Sequence, residues 1–308
     1  MTYNQLWKRL TVIYNEREAQ AIVRTVLDAL FGMSLTDICL GKVTQLSADD
    51  TTRLEKIMQR LEKSEPVQYV LGTEWFAGRL FDVAPGVLIP RPETEDLVKW
   101  ACDEAKEKEK EDNSKEERGE EEEEGFKKEE EAPHPSILDI GTGSGCIAIT
   151  VALALPQAHV TAWDISPDAL AIAAGNAHKL GASVRFEHQD ALSAPDDEAR
   201  WDVIVSNPPY ICDRERADMS DNVLSYEPEL ALFVPDSDPL LFYRAIARYA
   251  SKALKPGGRL LFETNTAYAH EVAQAMADEG FTAIEVRNDC FGKPRMVKGA
   301  FIREELIK

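Results

Sequence analysis

A pattern of alternating strands and helices runs from Ile137 towards the C-terminus and constrains the fold more than any other feature of the chain. The predicted strands are short, apolar and often β-branched, and cover 137–140, 159–163, 183–187, 202–206, 259–263, 282–286 and 296–302. Helical segments separate most of them, and such alternation is typical of a mostly parallel sheet covered by helices on both faces. Residues 287–295 are too few for a crossover helix, so we expect the last two strands to be antiparallel.

Residues 1–72 have a different pattern, which predicts a small all-α domain. Apolar residues recur at helical spacing, and Gly32 and Ser47 are a predicted helix end and a predicted helix N-cap. Nine basic and nine acidic residues balance in this region. It therefore lacks the positive charge that DNA-binding domains carry, and we expect it to bind a protein substrate.

The segment that follows predicts a connection between two domains. Residues 69–72 and 75–83 are predicted to form short strands interrupted by glycines, which indicates a hairpin. The prolines at 90 and 92 impose an extended path before a helix that Glu93 or Thr94 can begin. We expect 73–96 to link the helical domain to a second domain, 97–308.

Residues 103–131 consist almost entirely of Glu and Lys. They carry a net charge of −9 out of −20 for the whole chain, which leaves −11 elsewhere. Without an apolar face the segment cannot bury enough surface to offset its ordering entropy, so we expect a solvated helix extension or a mobile insertion. The overall acidity argues against sequence-independent DNA binding, although it allows a local basic patch.

Targeting, membrane and metal signals are weak. No apolar segment approaches membrane-spanning length and no signal pattern begins the chain, so we expect a cytoplasmic protein without membrane contact. The cysteines are too widely separated to indicate a metal site or disulfides, and we expect small buried side chains in a reducing compartment. They are Cys39, Cys102, Cys146, Cys212 and Cys290.

A glycine-rich segment between the first predicted strand and a predicted helix consists of Gly141, Thr142, Gly143, Ser144 and Gly145. Glycines allow a sharp turn and a close approach to a ligand, although a turn that only packs a helix has the same needs. The spacing is G-x-G-x-G, unlike the G-x-G-x-x-G of dinucleotide sites. Asp139, just before the loop, would repel a pyrophosphate but suits a cation such as an ammonium group.

Carboxylates also follow the next two predicted strands. Asp164 ends the second, where it can accept hydrogen bonds from ribose hydroxyls, and Asp190 follows the third, within reach of an adenine amino group. Either residue alone could simply begin a turn. A ligand with ribose, adenine and a cationic amino-acid group is S-adenosylmethionine, which we expect as the cofactor.

The fourth predicted strand is followed by Asn207, Pro208, Pro209 and Tyr210. Two prolines end the ladder, and Pro208 pushes Asn207 towards extended geometry. Asparagine and proline are also common in ordinary turns. At the carboxyl edge of an α/β sheet, where ligands bind, the segment would form a stiff platform with a polar tip.

The segments 139–147 and 207–210, together with 70–72, 89–95 and 226–232, resemble the class I S-adenosylmethionine-dependent methyltransferases. The similarity is greatest to the protein-(glutamine-N5) methyltransferases of peptide-chain release factors, and it covers almost the whole chain. It implies an α/β fold with a Rossmann-like seven-stranded methyltransferase domain, joined by a β-hairpin linker to a small all-α N-terminal domain. Residues 90–95 and that helical domain separate this family from DNA adenine methyltransferases.

The resemblance also implies roles for individual residues. Asn207 and the Pro208 carbonyl would accept the two N–H groups of the substrate amide, Pro209 would fix the geometry and Tyr210 would pack against the amide. The cofactor would lie against Asp139, the loop 141–145, Asp164, Asp190 and Asn207. The expected partner is a release factor with its Gly-Gly-Gln motif, bound by a monomer without DNA.

Three alternatives remain open at this point: a glutamine of a ribosomal protein, a nucleobase amino group, and a non-catalytic protein that binds the cofactor and docks on a partner. Two departures from the family pattern also stand out. Residues 261–265 replace the family's Leu-Glu-Ile-Gly-like sequence, and the acidic segment is longer than usual. We expect the first to change the wall beside the cofactor, and neither to touch the catalytic platform.

Overall fold

The computed structural model describes residues 1–119 and 134–302, including all their side chains except those of 113–119. Its N-terminal part contains the helices α1 (Tyr3–Leu10), α2 (Glu16–Phe31), α3 (Leu35–Cys39), α4 (Ala48–Leu61) and α5 (Val67–Leu71). Both predicted helix ends are confirmed, because Gly32 closes α2 in the left-handed region and the Ser47 hydroxyl accepts a hydrogen bond from the first turn of α4. The apolar stripes of α1, α2 and α4 pack together as a separate core.

The predicted strand at 69–72 is wrong, since these residues belong to helix α5 and its glycine C-cap. One helical turn lets Val70 join the core of the helical region while the Tyr69 hydroxyl donates to the Val87 carbonyl at 2.5 Å. An extended strand would place the adjacent side chains of Tyr69 and Val70 on opposite faces. The contacts of Tyr69 and Val70 with two different parts of the molecule are instead made from one helical turn.

The predicted hairpin is present one segment later. Strands β1 (Thr73–Phe76) and β2 (Arg79–Asp82) pair antiparallel around a two-residue turn at Ala77 and Gly78, both with positive φ. The Asn176 side chain accepts from the Asp82 amide at 2.7 Å and donates to its carbonyl at 2.9 Å. This pair of bonds attaches the hairpin to the sheet-containing part of the molecule.

The remaining elements are α6 (Pro92–Gly119), β3 (Ser136–Ile140), α7 (Cys146–Ala154), β4 (His159–Asp164), α8 (Pro167–Leu180), β5 (Val184–His188), β6 (Trp201–Ser206), β7 (Ile211–Cys212), α9 (Asp221–Tyr226), α10 (Glu229–Leu232), β8 (Phe233–Val234), α11 (Leu241–Ala253), β9 (Leu254–Glu263), α12 (Ala269–Asp278), β10 (Phe281–Asn288) and β11 (Pro294–Phe301). They build a seven-stranded sheet in the order β10-β11-β9-β6-β3-β4-β5. Strands β9, β6, β3, β4 and β5 are mutually parallel, and β10 and β11 pair antiparallel as predicted.

Both faces of this sheet are buried, as continuous apolar strands require. Ile137 and Val203 face a core that α6 and α7 cover, whereas Leu138 and Ile204 face a core that α11 and α12 cover. Helices cover both faces of the sheet. Polar residues at the ends of the parallel strands can therefore contact a ligand at the carboxyl edge of the sheet.

The first part of the acidic segment is packed, contrary to expectation. Glu104 and Lys108 are 4% and 3% exposed, and Glu104 contacts Arg259 of β9 at 3.2 Å and Lys298 of β11 at 2.5 Å. Lys108 pairs with Asp112 one turn further along α6. Charged side chains can be buried here because each has a partner of opposite charge. Residues 120–131 of the predicted insertion lie outside the described residues.

The cysteine prediction is confirmed for Cys102 and Cys212, which are buried, and wrong for Cys39 and Cys290, which are exposed. Within residues 1–119 and 134–302, no helix combines the length and apolarity needed to cross a membrane.

Candidate active site

A cavity of about 300 Å³ opens at the carboxyl edge of the parallel strands. Seven of the predicted site residues line it, each from the end of a strand: Gly141, Gly143, Asp164, Asp190, Asn207, Pro208 and Pro209. Its other walls are mostly apolar and include residues 86–88 of the linker, α10 and α11. The fold therefore brings most of the predicted site together from four successive strands.

The glycines of the loop 141–145 serve two different structural purposes: one allows two helices to pack together, and another lines the cavity. A side chain at Gly145 would place its Cβ 2.7 Å from Ile149 Cδ1 and 3.1 Å from Ala173 Cβ, so this glycine lets α7 pack against α8. Gly143, with φ of 56°, has open space where a Cβ would be and lines the cavity. Thr142 and Ser144 are buried behind the loop and do not line the cavity.

Asp139 is fully buried beneath this loop. Its Oδ2 accepts from Thr142 Oγ1 at 2.6 Å and from the Ala148 amide at 3.2 Å, whereas Oδ1 has no partner among the described residues. Burial raises the pKa of this carboxyl to about 7, against the opposing effect of those two hydrogen bonds. An unpartnered buried carboxylate oxygen is costly, at about 1–3 kcal/mol, and an ammonium ligand would satisfy it.

Asp164 ends β4 and braces the loop from the cavity side. Its Oδ2 accepts from the Gly143 amide at 2.8 Å and its Oδ1 accepts from the Ser166 amide at 2.9 Å. A carboxylate has further lone pairs, so these bonds leave room for hydroxyl donors from a ligand. Asp190 likewise accepts from the Leu192 amide at 2.8 Å and still borders the cavity. Both carboxylates thus begin turns and face the ligand space.

The platform residues separate into two groups. Asn207, Pro208 and Pro209 border the cavity, but Tyr210 does not. The Tyr210 hydroxyl donates to Glu263 Oε1 at 3.3 Å, and its ring packs against the apolar core beneath α11. Burial and the neighbouring Glu263 charge raise the pKa of Tyr210. The structure therefore places Tyr210 in the wall behind the platform.

The sequence did not identify Thr94 and Glu263 as site residues. Thr94 lies next to Asn207, and Glu263 lies behind Thr94. Thr94 Oγ1 donates to Glu263 Oε2 at 2.7 Å and lies 3.5 Å from Asn207 Nδ2. Asn265 Nδ2 also donates to the Tyr210 carbonyl at 3.3 Å. The expectation that the departure at 261–265 does not touch the platform is wrong, because β9 lies next to β6 in the sheet. Glu263 ends its strand as Asp164 does, and that rule could have identified it.

An ion pair between the half-exposed Arg91 and the buried Glu227 lies at the top of the cavity, which we call its roof. Arg91 contacts Glu227 at 2.5 Å, and the other oxygen of Glu227 accepts from the Ile89 amide at 3.2 Å. The neighbouring Tyr226 hydroxyl donates to the Lys63 carbonyl at 2.8 Å, which connects this roof to the helical region. The segments 89–95 and 226–232, singled out by resemblance, therefore contact each other above the site.

Comparisons with known proteins agree with this arrangement. A methyltransferase domain model matches residues 132–300, and a PrmC N-terminal domain model matches residues 4–72. The release factor glutamine methyltransferase of Bacteroides thetaiotaomicron is 44% identical over 286 residues, which cover 92% of this chain and 94% of that protein. Those of Flavobacterium psychrophilum and Koribacter versatilis are 36% identical over 297 residues (96% and 97% covered) and 39% identical over 255 residues (83% and 81% covered).

These matches extend over both the helical region and the sheet, and the family motifs lie around one cavity. The chain belongs to the release factor glutamine methyltransferase family.

Proposed function

We propose that this protein transfers a methyl group from S-adenosylmethionine to the N5 amide nitrogen of the glutamine in the Gly-Gly-Gln motif of peptide-chain release factors. One observation carries the proposal: the Asn207–Pro208 platform borders the same cavity as Gly143, Asp164 and Asp190. A polar platform and a predicted nucleoside site thus share one space, in a chain whose relatives are named for this reaction.

The residues present fit the cofactor. Asp164 and Asp190, which line the cavity, would hold the ribose hydroxyls and the adenine amino group. Asp139 is buried beneath the glycine loop and does not line the cavity, and it would hold the ammonium group through its unpartnered Oδ1. Gly143 lets the backbone approach the ligand closely. When bound, S-adenosylmethionine supplies an electrophilic methyl group on a sulfonium sulfur.

The substrate side must compensate for a poor nucleophile, because the amide lone pair is delocalised into the carbonyl. Asn207 Oδ1 and the Pro208 carbonyl would accept the two amide N–H groups and hold the nitrogen in line for attack. Both acceptors also stabilise the positive charge that develops on nitrogen. The nitrogen would gain the methyl group as the bond from that group to the sulfonium sulfur breaks, which leaves S-adenosylhomocysteine. The methylated nitrogen would then lose a proton to water, so no general base is needed beforehand.

The helical region would bind the release factor as part of a monomeric enzyme. The apolar stripes of its helices are buried in its own core. It is connected to the cavity roof by the hydrogen bond between Tyr226 and Lys63. The balance of its charges and the net charge of −20 favour a protein substrate over DNA.

The test is incubation of the full chain with methyl-labelled S-adenosylmethionine and, separately, a release factor, ribosomes and duplex DNA. We expect label in the release factor alone, located by peptide mass analysis on the glutamine of Gly-Gly-Gln. A release factor with that glutamine replaced by glutamate is the matched control and should stay unlabelled. Label in a ribosomal protein or in DNA, but not in the release factor, would contradict the proposal.

A further inference from the structure

The carboxylate of Glu263 is the centre of a buried hydrogen-bond network behind the platform. It ends β9, is 1% exposed, and its two oxygens accept from Thr94 Oγ1 at 2.7 Å and Tyr210 Oη at 3.3 Å. Its backbone carbonyl accepts from the Tyr243 hydroxyl at 3.2 Å. Three hydroxyl groups, from α6, the platform and α11, thus converge on one residue of β9, which none of the proposed steps uses.

The network has a direction, which follows from the chemistry of its members. An ionised carboxylate only accepts hydrogen bonds, and a threonine hydroxyl has a single proton to donate. Since Thr94 gives that proton to Glu263, its oxygen can only accept from Asn207. Asn207 must then turn its NH₂ group towards Thr94.

That orientation leaves Asn207 Oδ1 on the other side of the amide group. Asn207 borders the cavity, and no donor within the described part of the chain contacts this oxygen. The substrate amide presents N–H donors, so it requires an acceptor there. A reversed Asn207 would oppose N–H groups with N–H groups and form no bond.

We propose that Glu263, acting through Thr94, is a positioning residue that fixes the Asn207 side chain with its oxygen towards the substrate amide; this inference rests on the proposed function. The second oxygen of Glu263 holds Tyr210, the last platform residue, in the wall. Glu263 and Thr94 come from elements that the cofactor half of the site does not use. Their loss should therefore affect the chemical step and not cofactor binding.

The surroundings of the Glu263 carboxyl act on its pKa in opposite directions. Burial, the largest cause, raises this pKa, and the charge of Glu93 adds to the rise, whereas the Thr94 hydroxyl, the Arg295 guanidinium and the Tyr210 hydroxyl lower it without cancelling the rise. Arg295 lies beside the end of β9, where its backbone carbonyl accepts from the Thr264 amide at 2.7 Å. The network thus supplies the donors and the positive charge that a buried carboxylate requires.

The experiment compares Thr94→Val with the matched control Thr94→Ser. Valine keeps the shape and removes the hydroxyl, whereas serine keeps the hydroxyl and removes a methyl group. We expect Thr94→Val to lower kcat about 100-fold, the scale for a misplaced reacting group, with the KM for the release factor nearly unchanged. Thr94→Ser should stay within about threefold of the unaltered protein in kcat, because it preserves the direction of the network. Calorimetry should show the same Kd for S-adenosylmethionine in both variants.

A double-mutant cycle tests whether Thr94 acts through Asn207. In an Asn207→Ala background, single-turnover rates should show little further loss on adding Thr94→Val, because the two side chains form one unit. Multiplying losses would overturn the inference. Glu263→Gln is a second variant of the same shape. It should also lower kcat, because its amide replaces one acceptor with a donor, so that either the Thr94 or the Tyr210 hydroxyl loses its acceptor.

The outcomes separate the two proposals. If the unaltered protein methylates the release factor and Thr94→Val or Glu263→Gln, each folded by its melting profile, keeps full kcat, the inference fails and the proposed function stands. If Thr94→Ser loses as much as Thr94→Val, the network only supports packing and the inference also fails. If the unaltered protein does not methylate the release factor, the proposed function fails and takes the inference with it.

Discussion

The two halves of the candidate site are built in different ways. In the cofactor half, the hydrogen bonds that shape the site join residues close in the chain: Thr142 to Asp139, three residues apart, and Gly143 to Asp164, 21 residues apart. In the platform half, Asn207 and Thr94 are 113 residues apart, and Thr94 and Glu263 are 169 apart. The cofactor half is therefore a property of one strand–loop–helix unit and its neighbour, whereas the platform exists only after distant segments meet.

The difference predicts that damage to the two halves has different kinetic consequences. Changes in the platform should lower kcat without weakening cofactor binding, and changes in the cofactor half should weaken binding first. Each experiment below either separates the halves further or shows that they are one unit.

The largest effect is expected for Asn207→Ala. Loss of an acceptor that strengthens in the transition state should reduce kcat by about 100-fold or more. The Kd for S-adenosylmethionine, measured by calorimetry, should change little because all the other predicted cofactor residues come from other strands. Equal losses in both quantities would mean that Asn207 supports the fold and would erase the distinction between the halves.

A large effect is also expected from pH on cofactor binding. The pKa of Asp139 is raised to about 7 in the free protein, and an ammonium ligand favours the ionised form. Below pH 7 the carboxyl must lose a proton on binding, so Kd should rise about tenfold for each unit of decreasing pH and level off above 7.

Proton release measured in buffers of different ionisation enthalpy checks this directly, and Asp139→Asn should abolish it. The same raised pKa has a consequence for stability. The contribution of Asp139 to the free energy of unfolding is greatest below 3.8, the pKa of this carboxyl in the unfolded chain. That contribution is lost as the pH rises towards 7. A Kd that is independent of pH from 5 to 8 would show that Asp139 does not face the ammonium group.

A smaller effect is expected for Asp164→Ala, since the ribose hydroxyls lose charge-assisted hydrogen bonds worth about 1.5–3 kcal/mol. The Kd for S-adenosylmethionine should rise accordingly, while kcat at saturating cofactor falls less. Asp164→Asn is the matched variant because its side-chain oxygen can still accept from the Gly143 amide. An unchanged Kd in both variants would place the ribose elsewhere.

The smallest effect is expected for replacing residues 113–131 with a short Gly-Ser linker. They lead into the N-terminal end of β3, which lies at the edge of the sheet opposite the cavity, and their composition offers almost no apolar side chains to pack, so replacing them should cost little stability. The melting temperature and kcat should stay nearly unchanged. Glu104→Ala provides the contrast, because it leaves Arg259 and Lys298 with only their more exposed partners, Glu111 and Glu285, and should cost about 1–3 kcal/mol of stability. Lost methylation with an intact fold in the linker variant would make the acidic segment a docking element.

Much of the cofactor half could be predicted because its information is local. Asp139, Gly143 and Asp164 each stand at the end of a predicted parallel strand, and such ends converge at one edge of the sheet. Helix ends such as Gly32 and Ser47 were equally readable, since capping depends on the residue itself and its neighbours in the chain.

Only the tertiary structure decided the rest. Tyr210 lies in the wall because Glu263 holds its hydroxyl, residues 69–71 form a helix because Tyr69 and Val70 pack on different partners, and Glu104 is buried because Arg259 and Lys298 neutralise it. In each case the partner lies on an element distant in sequence. Periodicity and composition report which face of an element is apolar, but a hydrogen bond between elements far apart in the chain has no signature until the fold brings its donor and acceptor together.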